Sequence, residues 1–313
     1  MLTFLSRRVA WAFFTLWLVV SGTFLLAYVL PSSDPARMMA GPHASAEVVA
    51  RIRTELYLDR PLPEQYVRYV ARVAHGDLGH SYKNKESVNA AIARSLPWTA
   101  LIAAGASVFQ LLAGVPIGLL AALRKRTAVD VGAMALALVG ISAPTFLTGL
   151  AIMYVLGFRL GAFPLGGLGA GGLGVLRSAV MPSLTLGIAG AAYYSRLTRG
   201  EFLDVSQQDY MRTARAKGLS EARVVLRHGL RNALIPVVTF FGMDLGVMLG
   251  GAVVTESIFA WPGMGKLAID SVLQQDFPVM LGTVLVASAA IVTANLVVDL
   301  VYAWLDPRIR LGG

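Results

Sequence analysis

Long stretches without a charged residue alternate along this chain with short, strongly basic ones. Residues 9–30, 98–123, 131–158 and 178–195 carry no Asp, Glu, Lys or Arg; roughly 233–255 and 279–304 carry one Asp each. About 20 apolar residues in a helix cross the roughly 30 Å hydrocarbon layer of a bilayer. The pattern therefore predicts six spanning helices. Pro116 is expected to kink the second, because an interior proline removes a backbone hydrogen bond, and Pro144 lies within the third. A signal peptide competes for the first run, but its apolar core would be about 7–15 residues with a nearby small-residue cleavage site. The A-x-A pattern, Ala44-Ser45-Ala46, falls well beyond the run, so residues 9–30 read as an uncleaved span.

The polar stretches have their own order. Segment 31–97 holds Pro31, Pro35, Pro42, Pro61 and Pro63. Val48, Val49, Ile52 and Leu56 recur at helical spacing there, as do Tyr66, Val67, Val70 and Val73. Two amphipathic helices lying against the membrane face or a partner are expected. About 65 residues is too few for an independent core. Residues 159–177 form a glycine-rich turn. Residues 203–236 read LDVSQQDYMRTARAKGLSEARVVLRHGLRNALIP. Ser206 is the expected first N-cap, with Asp209 at capping-box spacing. That helix would run to Lys217 and stop at Gly218, where positive φ is tolerated. Ser220 would cap a second helix carrying Val224, Val225 and Leu226 toward Pro236. Ala214, Ala216 and Gly218 make a small-residue patch that lets another surface approach. A loop that only joined two spans would need neither caps nor a glycine stop.

These elements define an all-α membrane protein. Residues 1–30 are the tail and first span, 31–97 an external loop, 98–304 a five-helix core containing loop 203–232, and 305–313 a second tail. Composition agrees: 56% of the 313 residues are hydrophobic and 14% charged, against about 45–50% and 25% in soluble domains. The net charge of +9 does not imply nucleic acid, because the cations sit at span ends. Arg7 and Arg8, Arg124 to Arg126, eight cations from Arg196 to Arg231, and Arg308 and Arg310 fall on one side. The short loops opposite hold Arg159, Arg177 and Lys266. Long segment 31–97 carries nine cations, but the positive-inside rule governs long loops poorly. Both chain ends and loop 196–232 are thus expected in the cytoplasm. There is no cysteine, which excludes disulfides, thiolate metal sites and cysteine nucleophiles.

Enzyme signals fail on inspection. Residues 167–172 fit G-x-G-x-x-G but follow no strand of a βαβ unit. Gly263-Met264-Gly265-Lys266 resembles the end of a phosphate loop, yet Ala260 and Leu267 occupy required positions. His43, His75, His80 and His228 are scattered, and neither a metal site nor a Ser/His/Asp set is predicted. Asp244 stands out in FFGMDLGVMLGG. An acid at a span centre costs about 2.5–3.5 kcal/mol on insertion scales, so it should avoid lipid. It either pairs with Gln110 or Asn295 or lies on a transport path, for which Asp244 and Asn295 are the candidates. Asp299 shares a helix face with Asn295 and is expected to snorkel or pair with Arg308 or Arg310. Gly242, Gly246, Gly250, Gly251 and Ala252 suit close helix packing.

Several stretches carry a resemblance. They are Arg7-Arg8, Leu30-Pro31 with Asp34-Pro35, Gly76-Asp77-Leu78-Gly79, YMRTARAKGLSEARVVLRHGLRNALIP (210–236), GGAVVTESIFAWPGMGKL (250–267) and NLVVDLVYAWLDPRIR (295–310). Jointly they make the chain similar to the permease subunits of binding-protein-dependent ABC importers. More narrowly, it resembles the B-type of the dipeptide, oligopeptide and nickel branch. The resemblance implies that loop 206–231 is a coupling helix docking on a cytoplasmic ATPase. The family pattern falls on Thr213, Ala214 and Gly218. Arg212 stands at its acidic position, and His228, Leu230 and Arg231 replace its usual ending. Tyr210, Arg212, Thr213, Ala214, Arg215, Lys217 and Gly218 are the coupling candidates, with Arg212, Arg215 and Lys217 the first choices for polar contact. The implied assembly adds a homologous second permease, two ATPase subunits and an extracytoplasmic substrate-binding protein in a bacterial inner membrane. ATP and magnesium would bind the ATPases, so this chain holds no cofactor and catalyses nothing. Segments 31–97 and 258–266, with Trp261, Pro262 and Gly263, would face the binding protein. The implied cargo is a di- or oligopeptide, with nickel or another small solute as the alternative. An ion-coupled transporter using Asp244, or a membrane scaffold, are rivals of other classes.

Overall fold

The computed structural model describes residues 2–29, 34–40, 44–55 and 57–305. Within lipid every backbone polar group must be satisfied inside the segment, which leaves helices as the way to cross for a chain patterned like this one. Helix α1 (Leu2–Phe24) continues to Val29 in a wider π-helical turn. Segment 31–97 contains α2 (Pro35–Ala40), α3 (Ala46–Glu55) and α4 (Leu62–Ala74). Then come α5 (Val88–Leu123), α6 (Ala128–Ser142), α7 (Thr145–Ile152, wound on to Arg159) and α8 (Gly171–Ser206). Next are α9 (Asp209–Ala216), α10 (Glu221–Arg223) and α11 (Arg231–Leu249), the last two joined by a π-helical stretch. Helices α12 (Val253–Ile258), α13 (Met264–Leu273) and α14 (Phe277–Leu305) complete the order. Among the described residues five helices are long and apolar enough to cross a membrane, or six with the bent pair α6 and α7 taken as one span.

Two helix pairs make the core, and small residues set both. Helices α5 and α8 run parallel and touch along most of their length. A Cβ at Gly114 would lie 2.6 Å from the Ala191 carbonyl oxygen. Helices α11 and α14 run antiparallel, with Gly242 against Val298 and Gly246 against Ala294. Without a water-driven hydrophobic force inside lipid, such close backbone approach supplies the van der Waals contact that holds the bundle. Helix α1 packs outside α14, and Arg8 pairs with Asp299 at 3.0 Å. The sequence pointed Asp299 to Arg308 or Arg310 instead; both lie outside the described residues.

The third span differs most from its expected form. The chain bends by 103° between α6 and α7. Pro144 lacks an N–H and disfavours helix at Ala143. Ala143 is extended, and Pro144 becomes the residue that precedes α7. The basic end of α6 is fixed by a feature that sequence reading missed. Arg199 of α8 donates two bonds to Asp130 at 2.5 and 2.8 Å, and the Arg126 backbone N–H adds a third at 2.9 Å. The other spans overrun their apolar cores: α5 starts ten residues before position 98, and α8 extends past both ends of 178–195. Both expected amphipathic helices of segment 31–97 form, as α3 and α4. Helix α4 lies on the C-terminal end of α1 of the same chain. The Ser21 and Tyr66 hydroxyls bond at 2.7 Å, Tyr69 donates to Thr23 at 3.0 Å, and Arg72 donates to Tyr28 at 3.0 Å.

Candidate functional site

The loop between α8 and α11 is a built structure. Its first cap is not Ser206, which is the last residue of α8 and donates to the Leu203 carbonyl. Gln208 precedes α9 instead, and Ser220 precedes α10 without a side-chain cap bond. Gly218 sits at φ +74°, the left-handed conformation expected where α9 stops. Below α9, Met211 and Ala214 pack on Val224 and Leu219. Arg215 bridges the turn with bonds of 3.1 and 2.8 Å to Glu221, and Asn232 donates to the Tyr210 hydroxyl at 3.1 Å. The second helix of this loop is not separate: α10 runs through to α11 as one helical rod, Glu221–Leu249.

The small-residue patch divides. Ala214 is buried against Val224 and Leu219, whereas Ala216 and Gly218 are exposed. The outward stripe of α9 is Asp209, Arg212, Thr213 and Ala216, at one-turn spacing. Arg212 is 77% exposed and Lys217 is also exposed, so both are available to a partner. Arg215 is committed to Glu221, which weakens it as a first polar contact.

Segment 250–267 folds back over the N-terminal ends of α5 and α8. Its organiser is Glu256, which sequence reading did not single out. The side chain is fully buried. It accepts from Thr99 at 2.7 Å and from the Lys266 backbone N–H at 2.8 Å. Thr99 in turn accepts from the Met264 N–H at 2.7 Å, so α5, α12 and the start of α13 share one polar cluster. A Cβ at Gly263 would come 2.4 Å from the Glu256 carboxyl carbon. Trp261 is also fully buried, edge-on to Trp98, and donates to its carbonyl at 2.9 Å. Trp261 and Gly263, offered as outward contacts, therefore hold the turn from within; Pro262 is half-buried. The rule that drew notice to Asp244, an acid alone in an apolar run, would have found Glu256 too.

Asp276 accepts from Ser81 and from the Tyr82 N–H, tying loop 79–88 to the start of α14. Burial raises the Tyr82 and Tyr69 phenols above their ordinary range. Asp77 accepts from the Gly79 N–H at 2.9 Å.

Asp244 faces α5 and α8, away from the glycine stripe of α11. Gln110 donates to its Oδ2 at 2.8 Å, and Tyr194 donates to the same oxygen at 3.2 Å. The expected Gln110 pairing is present, and Tyr194 is the member missed. Asn295 is exposed on α14 and joins neither.

Residues 114–311 match the family described as binding-protein-dependent transport system inner membrane component, and residues 1–103 match the corresponding N-terminal family. The chain belongs to this family. It is the permease subunit of a binding-protein-dependent ABC importer, a multi-pass inner-membrane protein of a transporter family rather than an enzyme family. The glutathione transport system permease protein GsiC of Salmonella paratyphi A is 43% identical over 310 residues, covering 99% of both chains. GsiC of Escherichia coli K12 is 41% identical over the same length. These relatives set the permease in the peptide and nickel branch. Among solved structures, the inward-facing methionine ABC transporter MetNI matches 69% of this chain and 96% of its own, with TM-score 0.55 and 15% identity. That likeness concerns the fold.

Proposed function

We propose that this permease imports peptide-like solutes of the glutathione class and couples to its ATPase through the outward stripe of α9. The full-length identity to GsiC supports the cargo class. The observation that carries the coupling reading is the construction of α9. Its inner face is anchored by Met211 and Ala214, its outer face is exposed, and its chain continues into α11. Arg212, Thr213, Ala216 and Lys217 make the contact. Tyr210 positions the helix through Asn232, and Arg215 and Gly218 set the turn. The functional assembly contains a homologous second permease, two ATPase subunits that hold ATP and magnesium, and an extracytoplasmic binding protein. Both chain ends and α9 lie in the cytoplasm, as the basic span ends indicate. Asp244 lies on the path of the cargo.

Co-purification from native membranes in mild detergent tests the coupling. The ATPase and second permease should accompany the wild type, and Ala216→Arg should release the ATPase alone. Ala214→Arg is unsuitable, because its side chain would enter the packed underside of α9. Retention of the ATPase by Ala216→Arg, or uptake by the purified chain without any ATPase, contradicts the proposal.

A further inference from the structure

Around Asp244 the structure assembles more than a buried pair. Both donors, Gln110 and Tyr194, use Oδ2; Oδ1 has no hydrogen-bond partner among the described residues. Asp244 is half-buried, so that oxygen belongs to a side chain reachable from outside the packed bundle. One helical turn before it on α11 lies Phe240. Its ring stacks on Tyr193 with centroids 4.2 Å apart and meets Tyr194 edge-on at 5.6 Å. Tyr193 is 39% exposed. Gln110 is fully buried, and its Oε1 also lacks a partner. A carboxylate with an open oxygen, one helical turn from a partly exposed aromatic cluster, is the chemistry that receives an ammonium group. The acid supplies the counter-charge, and the rings supply the cation–π field.

Depth strengthens the argument. Asp244 is thirteen residues beyond Arg231, about 20 Å along a helix rising 1.5 Å per residue, and so within the hydrocarbon layer. An amine crossing at this level has lost most of its water and needs a fixed opposite charge. We infer that Asp244, with Gln110 and Tyr194 orienting it and Tyr193 and Phe240 beside it, is a station for the free amino group of the cargo. This inference rests on the reading of Asp244 as a residue of the path.

The test uses the complete importer in lipid nanodiscs and two probes, L-alanyl-L-alanine and its N-acetyl form, followed by saturation-transfer NMR without the binding protein. The dipeptide should give a signal with the wild type, and the N-acetyl form a signal weaker by about tenfold, since it lacks the cation. Asp244→Asn keeps an acceptor for Gln110 and Tyr194 and should remove the preference; Asp244→Glu should retain it. Equal signals from the two probes, an undiminished preference in Asp244→Asn, or no signal from the dipeptide with the wild type would overturn the inference. Uptake driven by ATP and the binding protein separates the two levels. If Asp244→Asn leaves uptake intact, the path reading itself fails. If uptake falls while both probes bind alike, only the amino-group station fails.

Discussion

Replacing Glu256 with alanine should unfasten the turn that closes over α5. The substitution leaves the Thr99 hydroxyl and the Lys266 N–H without their acceptor, in a site where Thr99 is fully buried. A buried donor stripped of its partner costs about 1–3 kcal/mol, so two together cost about 2–6 kcal/mol. Glu256→Gln should cost only about 1 kcal/mol, because its amide oxygen still accepts from Lys266 while its NH2 faces a hydroxyl that can accept. Gly263→Ala makes an independent check. It removes no polar group, yet its methyl would displace the Glu256 carboxyl. The reporter is already in place: Trp98 and Trp261 lie 6.2 Å apart at the base of the turn. Unfolding in mixed detergent micelles, followed by tryptophan fluorescence, should rank wild type above Gln, and Gln above both Ala variants. A Glu256→Ala protein within about 0.5 kcal/mol of wild type, the range of unremarkable surface changes, would refute the reasoning.

Gly118→Ala should force α5 and α8 apart, because its Cβ would sit 2.3 Å from the Ser195 carbonyl oxygen. A loss of about 1–3 kcal/mol is expected from such overpacking, visible as an earlier midpoint in the same titration. The raised phenols of Tyr69 and Tyr82 predict a weakness at alkaline pH. The unfolded chain loses these protons near pH 10 while the folded chain keeps them. Stability is therefore complete below about pH 10 and falls as pH rises beyond it. Phenolate absorbance should show at least two tyrosines ionising later than the rest, and Tyr69→Phe should remove one of them.

The spans were legible because membrane insertion leaves a mark at every position: a charge-free run of sufficient length. The stop at Gly218 was legible for a local reason too, since the left-handed turn needs that residue. What escaped depends on distance through the fold. Asp130 and Arg199 are 69 positions apart and nothing in the local pattern joins them, though they form one clamp. Ser206 has the residue type and spacing of a cap, but α8 overruns it because its side chain finds the Leu203 carbonyl inside the helix. Ala214 and Ala216 look alike in sequence. Their opposite orientations follow from the register at which α9 settles on Val224. Pro144 signalled a disturbance, but a 103° bend rather than a kink depends on how α7 packs against α8.

The chain has no cysteine, so single cysteines introduced into α9 can be labelled without background. A benzophenone maleimide placed at Thr213→Cys, Ala214→Cys or Ala216→Cys, and photolysed in membranes containing the complete importer, asks directly which face of α9 meets the ATPase. The account predicts cross-links to the ATPase from positions 213 and 216 and little labelling at 214. Cross-links absent from 213 and 216, or an ATPase captured only from other loops, would contradict it.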